Sequence, residues 1–244
     1  MLGVLRWLSL SVAVLALASC GGGSKSSSGS SSLPHGTTPS KLDPSKFTTE
    51  IDNPYWPMRP GSHWVYSELE DGEAQRVDVT VSDKTKVLGG VTARVVHDQV
   101  TRKGEVVEDT YDWYAQDSDG NIWYLGEDTK EYENGKLKTT EGSWAYGVDD
   151  AQPGVVVPAD PKQGMRYREE YYAGHAEDAA EVLKVCSQVQ VPYGRFKDAV
   201  LTRNFSSLEP TVEEMKLYAR GVGPVMELLV SGGSGRTELL SFER

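Results

Sequence analysis

Two stretches of this 244-residue chain carry side chains able to do chemistry together. The first is Asp117-Ser118-Asp119-Gly120-Asn121, followed by Glu127 and Asp128. Oxygen ligands at alternate positions of a tight loop can converge on one point, as a hard cation requires. Asp117, Asp119, Asn121 and Glu127 are therefore candidate metal ligands, with Ca²⁺ as the candidate ion and no other cofactor expected. Asp and Asn also favour hairpin turns through their own local hydrogen bonds, and a plain turn is the competing reading.

The second stretch is the hairpin around Lys103-Gly104. With Arg102 written opposite Glu105, His97 falls opposite Thr110 and Gln99 opposite Glu108. His97, Gln99, Glu108, Thr110 and Asp112 then share one face, and Val96, Val100, Val107, Tyr111 and Trp113 the other, because strand side chains alternate. A histidine beside carboxylates can bind a metal or serve as an acid-base pair, so His97, Glu108 and Asp112 form a candidate polar site. The wet face of a half-buried sheet shows the same alternation.

Elsewhere Glu169, Glu170, His175, Glu177 and Asp178 gather acids near one histidine without a metal-ligand spacing. There is no zinc-helix motif, nucleophile elbow or phosphate-binding loop, and no catalytic residue is named. Five tryptophans (Trp56, Trp64, Trp113, Trp123, Trp144) and several tyrosines (Tyr111, Tyr114, Tyr124, Tyr171, Tyr172) either form the core of a β-domain or line a groove for a lipid, a sugar or a peptide.

The elements that must position these residues are strands. From His63 onward, β-prone runs of six to ten residues alternate with short turn signals, the pattern of consecutive hairpins. Asp71-Gly72, Gly89-Gly90 and Asn134-Gly135 each suit a two-residue turn with positive φ. The fold class is all-β: a strongly twisted antiparallel meander or half-barrel, with one short helix allowed at 176–184. Pro153, Pro158 and Pro161 mark 151–164 as a loop between two groups of strands. No repeat period of a propeller is present.

The N-terminus carries Arg6 and then an apolar run from Trp7 to Ala18, the length of a secretory h-region and too short to span a bilayer. It ends in Leu17-Ala18-Ser19-Cys20, which resembles the bacterial lipobox: an aliphatic residue, two small residues and the cysteine that receives the acyl chains. Residues 1–19 read as a signal peptide and Cys20 as the lipidated residue. Gly21 to Ser32 is almost entirely Gly and Ser, a composition that stays a flexible coil, so 20–46 reads as a tether and 47–244 as a single β-rich domain. The localisation implied is a cell membrane, by lipid anchor, facing outside the cytoplasm.

Removing Arg6 from 25 basic residues leaves 24 against 36 acidic ones. Nucleic acid is excluded as a partner, because binding it rests on Lys and Arg neutralising phosphates. With Cys20 lipidated, no internal disulfide is expected, since Cys20 and Cys186 are the two cysteines of the chain. The domain must then stand on its hydrophobic core.

Two groups of motifs carry a further resemblance. They are Asn53-Pro54-Tyr55-Trp56-Pro57-Met58 with Pro60-Gly61, Trp64 and Tyr66, and Val191-Pro192-Tyr193-Gly194-Arg195-Phe196 with Tyr218-Ala219-Arg220-Gly221-Val222-Gly223-Pro224-Val225. Both ends of the domain are similar to a broad group of uncharacterised secreted β-domains, and the resemblance implies a twisted antiparallel sheet, half-barrel-like as in LolA-like lipoprotein carriers. The Asp117 loop resembles the opening of an EF-hand loop but has Ile122 where that loop has Gly and Asp128 where it has Glu. The function expected is a membrane-anchored, extracytoplasmic, non-catalytic domain that binds a small-molecule or protein ligand or plays a supporting part. The alternatives are a cation-dependent hydrolase and a lipid or lipoprotein carrier.

Overall fold

The computed structural model describes residues 33–244, so the expected signal peptide, Cys20 and the Gly/Ser stretch through Ser32 lie outside the described residues. The strands in chain order are β1 Phe47–Thr48, β2 His63–Glu70, β3 Glu73–Leu88, β4 Val91–Arg102, β5 Glu105–Asp117, β6 Ile122–Glu133, β7 Lys136–Thr139 and β8 Trp144–Ala145. They continue as β9 Gln152–Val157, β10 Arg166–Arg168, β11 Glu170–Tyr171, β12 Asp178–Val191, β13 Gly194–Ser206, β14 Glu213–Ala219, β15 Gly223–Ser231 and β16 Gly235–Glu243. All pair antiparallel in one sheet of order β10-β12-β13-β14-β15-β16-β2-β3-β4-β5-β6-β9-β11, with β1 on β5 and β7 and β8 on β6.

The all-β expectation holds, and the sheet goes beyond a half-barrel to near closure. A single stretch, Arg166 to Tyr171, joins its two ends: Arg166, Tyr167 and Arg168 pair with β12, while Glu170 and Tyr171 pair with β9. Between them the Glu169 N–H donates to the Asp178 carbonyl at 2.8 Å. Gly154 permits this closure, because a Cβ there would strike the carbonyls of Arg168 and Glu169.

Local sequence explains the strands. In β3, Val77, Val79 and Val81 turn inward while Asp78 and Thr80 are more exposed, the period-2 pattern of a sheet with one buried face. The turn dipeptides do what their types allow: Asp71 and Gly72 have φ of 47° and 84°, and Asn134 and Gly135 have 53° and 70°. Positive φ at both central residues is the geometry that matches the twist of the flanking strands.

Two expectations are corrected. Ala176 to Lys184 is not a helix, since Asp178–Val191 is a long strand held by β10 on one side and β13 on the other. A nine-residue alanine pattern makes a marginal helix by itself, and pairing on both edges outweighs it. Residues 151–164 are not wholly a loop, because 152–157 form β9. Pro153 is tolerated there because it lies outside the β6 ladder, opposite Glu170 of the two-residue β11.

Residues 33–46, read from sequence as part of the tether, lie against the sheet. The guanidinium of Arg168 donates to the carbonyls of Gly36, Thr38 and Pro153 and to the Ser40 hydroxyl at 2.7–2.9 Å, and the Arg168 backbone N–H donates to the Pro34 carbonyl at 2.8 Å. Leu42 and Phe47 then cover an outer apolar patch of Leu88, Val91, Ala93, Val95, Trp113, Ala115 and Leu125.

The main core sits at one end of the barrel. Trp64, with no exposed surface, donates its indole N–H to the Val222 carbonyl at 2.8 Å and stacks on Phe242. Burial of that size makes truncation to Ala cost about 3–5 kcal/mol. The segment from Ile51 to Met58 closes this end: Ile51 bridges Met58, Asn53 donates to the carbonyls of Gly120 and Pro158, and Pro54 accepts from the Gly221 N–H. Trp56 packs against Tyr114 at 5.3 Å and Tyr218 at 6.2 Å between ring centroids. Gly223, with φ of 116°, makes room for it, since a Cβ there would lie 2.6 Å from the indole.

Candidate functional site

With one end plugged, the barrel becomes a cup whose mouth lies at the hairpin tips Asp71-Gly72, Lys103-Gly104 and Asn134-Gly135. The inward residues of β2 run Trp64, Tyr66, Glu68, Glu70 from base to mouth. Those of β5 run in the same direction Tyr114, Asp112, Thr110, Glu108. Aromatic rings thus line the base and carboxyl groups the upper wall. Between them lies a cavity of about 590 Å³ lined also by Val77, Val79, Val96, Asp98, Val100 and Glu227. Its lining holds seven acids (Glu68, Glu70, Asp98, Glu108, Asp112, Glu131, Glu227) against Arg102 and Lys138, so the wall is strongly acidic.

Neighbouring groups satisfy part of this charge. Tyr124 donates its hydroxyl to Asp112 at 2.8 Å, Thr110 to Glu108 at 3.0 Å and Thr237 to Glu68 at 3.0 Å. Lys216 lies 3.6 Å from Glu214 and 3.7 Å from Glu227. Those carboxylates hold the Lys216 ammonium well above its ordinary pKa. Lys138 pairs with Glu131 at 3.2 Å near the mouth. Asp98 differs from the others: its Oδ1 is sealed from solvent and has no hydrogen-bond partner.

Burial pushes the interior carboxyls toward their neutral forms. Asp98 is raised well above the ordinary aspartate value by burial and then by Asp112, Glu108, Glu227 and Glu68. Asp112 is raised to about 8, chiefly by burial and then by Glu127, with the Tyr124 hydrogen bond opposing. Burial also raises Glu68, Glu108 and Glu127. Tyr66, Tyr114 and Tyr124 are pushed far up by burial, so the phenols are neutral donors.

A second cavity of about 550 Å³ is lined by Glu127, Glu169, Glu170, His175, Asp178 and Lys216, among others. Here the acidic stretch from Glu169 to Asp178 is split by role. Glu170 accepts from the Trp144 indole at 2.5 Å and Glu169 from Asn204 at 2.8 Å, both buried. Burial raises Glu169 to about 7. His175 stacks on Tyr172 at 4.4 Å and is exposed, and Glu177 is half-buried, accepting from the Gly174 N–H and the Ser207 hydroxyl.

The structure does not bring His97 together with Glu108 and Asp112. A bulge at Val107 puts Val100 opposite Glu108 and Thr101 opposite Val106, so His97 pairs with Tyr111 and Gln99 with Asp109. One extra residue on one strand exchanges which partners share a face. His97 sits outside the barrel, 2.6 Å from Asp109 and stacked on Tyr111 at 4.5 Å. Glu108 and Asp112 point inside with Asp98, which the expected register had placed with the apolar face.

The Asp117 loop is a hydrogen-bonded turn. Asp117 Oδ1 accepts from the N–H groups of Asp119 and Asn121, and Oδ2 accepts from the Asn121 side-chain amide and the Trp123 indole, at 2.7–3.0 Å. Asn121 Oδ1 accepts from the Ala159 N–H at 2.9 Å. Glu127 is not near this turn, since it pairs with Asp112 in the barrel wall and accepts from Thr129 at 2.6 Å. Among the described residues no three His, Cys, Asp or Glu side chains converge as metal ligands.

Glu68, Asp98 and Glu227 were missed as site residues in the sequence. The signal that could have found Glu68 is the mirrored order of Trp64-x-Tyr66-x-Glu68-x-Glu70 and Glu108-x-Thr110-x-Asp112-x-Tyr114, acid at one end and ring at the other on antiparallel strands, whereas Asp98 and Glu227 stand in no such pattern.

No protein-family model matches the chain, and no curated protein matches it. Among solved structures it is similar to a candidate lipoprotein of Parabacteroides distasonis, at 13% identity and a TM-score of 0.43 over 78% of this chain and 98% of the other. It is also similar to a β-barrel-like protein of a domain family of unknown function from Brucella abortus, at 13% identity and a TM-score of 0.36, over 76% and 98% of the two chains. No helix among the described residues is long and apolar enough to cross a membrane.

Proposed function

We propose that this chain is a lipid-anchored, extracytoplasmic protein whose barrel holds a small ligand without transforming it. The anchor rests on the h-region and the Leu17-Ala18-Ser19-Cys20 motif. The observation that carries the binding role is the cup itself, a concave cavity with a sealed aromatic base, an acidic upper wall and a single plugged end. Pockets of a few hundred Å³ with a few placed polar groups are the usual form of small-molecule sites. The cavity of the cup is lined by no serine, cysteine or histidine, and His97, the base that a hydrolase reading would use, lies on the outside. Anionic lipids are disfavoured by a wall of seven carboxyl groups with only Arg102 and Lys138 among them, since an incoming anion must meet acids that already resist ionising, which weighs against a carrier for fatty acids or phospholipids.

The test is native mass spectrometry of the full chain purified in mild detergent, beside a Val100→Trp variant that fills the cavity. A small-molecule adduct on the parent and none on the variant is expected. Equal spectra without adduct, or EDTA-sensitive turnover of an ester, phosphate or glycoside by the parent, would overturn the reading.

A further inference from the structure

We propose that the cup binds a linear aliphatic polyamine, with its ammonium groups on the carboxyls of the upper wall and its methylenes against the valine side. This rests on the ligand-binding reading above and names the ligand class.

Four observations point there. Asp98 lines the cavity and its buried Oδ1 has no hydrogen-bond partner, a polar atom that nothing in the described residues satisfies. Of the seven acids in the lining, Glu131 has Lys138, Glu227 has Lys216 and Glu70 accepts from the Gln75 amide, while Asp98, Asp112, Glu108 and Glu68 line the cavity with no cation paired to them among the described residues. The acids are spread along strands: Glu68 and Glu70 are two residues apart and Glu108 and Asp112 four, so about 7 Å and 13 Å. That spacing suits ammonium groups separated by short methylene chains. It does not suit a metal ion, for which no three ligands converge among the described residues. Finally, Val77, Val79, Val96 and Val100 give the methylenes an apolar wall, with Tyr66 and Tyr114 lining the same space.

Binding should be coupled to protons. Asp98 is faced by Glu68 from β2, Glu108 and Asp112 from β5 and Glu227 from β15, with Lys216 of β14 beyond Glu227. These groups resist ionising together, and an ammonium beside them charges them and releases protons. Affinity therefore rises as pH rises toward the Asp112 value of about 8.

The experiment is calorimetric titration of the full chain in mild detergent with spermidine, with octane-1,8-diol and Ca²⁺ as separate arms, at pH 6 and pH 8. One site is expected for spermidine, tighter at pH 8 by about tenfold, and weakened tenfold or more in Asp98→Asn and in Asp112→Asn. Asp109→Asn, on the outer face, should leave it unchanged. Glu108→Gln substitutes for either variant that fails to fold. Spermidine binding that is the same in all variants is surface attraction to an acidic protein and overturns the proposal. So does Ca²⁺ binding at this site that the same variants abolish. Diol binding without spermidine binding, or a neutral adduct in the native mass spectrum, overturns the polyamine but leaves the cup a ligand site. Absence of every adduct and of all binding overturns both.

Discussion

The Tyr124 hydroxyl donates to Asp112 Oδ1 at 2.8 Å inside the barrel, and the pair joins the aromatic base of the cup to its acidic wall. Tyr124 in turn stacks on Tyr114 at 5.0 Å and meets Trp144 edge-on at 5.5 Å. Through these contacts the ionisation of Asp112 is tied to the core.

The stability of the protein should therefore fall as pH rises. The folded pKa of Asp112 is raised from 3.8 to about 8, so the fold binds that proton more tightly than the unfolded chain does. The corresponding stability is fully present below about pH 4 and is lost as pH rises through about 8. Raised values at Asp98, Glu108 and Glu169 act in the same sense. Asp112→Asn, which keeps an acceptor for Tyr124, should flatten the decline and raise stability at pH 8 by about 1–3 kcal/mol. Thermal melting of parent and variant from pH 5 to pH 9 checks this, and parallel curves would refute it.

His97 should be dispensable to the cup. It lies outside the barrel against Asp109 and Tyr111, in a partly exposed hydrogen bond worth about 1 kcal/mol. His97→Ala is expected to lower stability by about that amount and to leave ligand binding and the native mass spectrum unchanged. Loss of binding would place the working face on the outer wall.

Arg168 should hold the N-terminal arm. Its guanidinium serves three carbonyls and a hydroxyl, and its own removal leaves those acceptors unpaired. Arg168→Ala should destabilise by about 2–4 kcal/mol, and Arg168→Lys should recover little because one ammonium cannot reproduce the planar fork. Limited proteolysis should then cut between 33 and 41 in the variants and not in the parent.

At the Asp117 turn, truncation should cost stability whether or not Ca²⁺ is present. Four hydrogen bonds converge on the Asp117 carboxylate, one of them from the Trp123 indole. Asp117→Ala is expected to cost about 1–3 kcal/mol, equally in EDTA and in millimolar Ca²⁺. A Ca²⁺-dependent rise in melting temperature of the parent that Asp117→Asn with Asp119→Asn abolishes would restore the cation site.

Anchoring should depend on Cys20. Cys20→Ala is expected to lose fatty-acid label and to leave the membrane or remain as uncleaved precursor. Labelled protein in that strain would refute the lipid anchor.

Alternation, turn dipeptides and composition were enough to determine the all-β class, because period-2 burial and positive-φ turns are local properties of the chain. Asp71-Gly72 and Asn134-Gly135 open their turns for reasons contained in two residues. The N-terminal motif belongs to the same kind of evidence, since it is read along the chain. What only the tertiary structure decided was which side of each strand faces in. The bulge at Val107 moved His97 out and left Asp98 beside Glu108 and Asp112, a change that one unpaired residue makes and that alternation cannot reveal. Likewise, the alanines around Ala180 are compatible with a helix until β10 and β13 lie on both sides of them. The acidic wall was hidden for a related reason: a carboxylate every second residue looks the same on a solvated outer face as on the inside of a cup, and only closure of the sheet through Arg166 to Tyr171 turns one into the other.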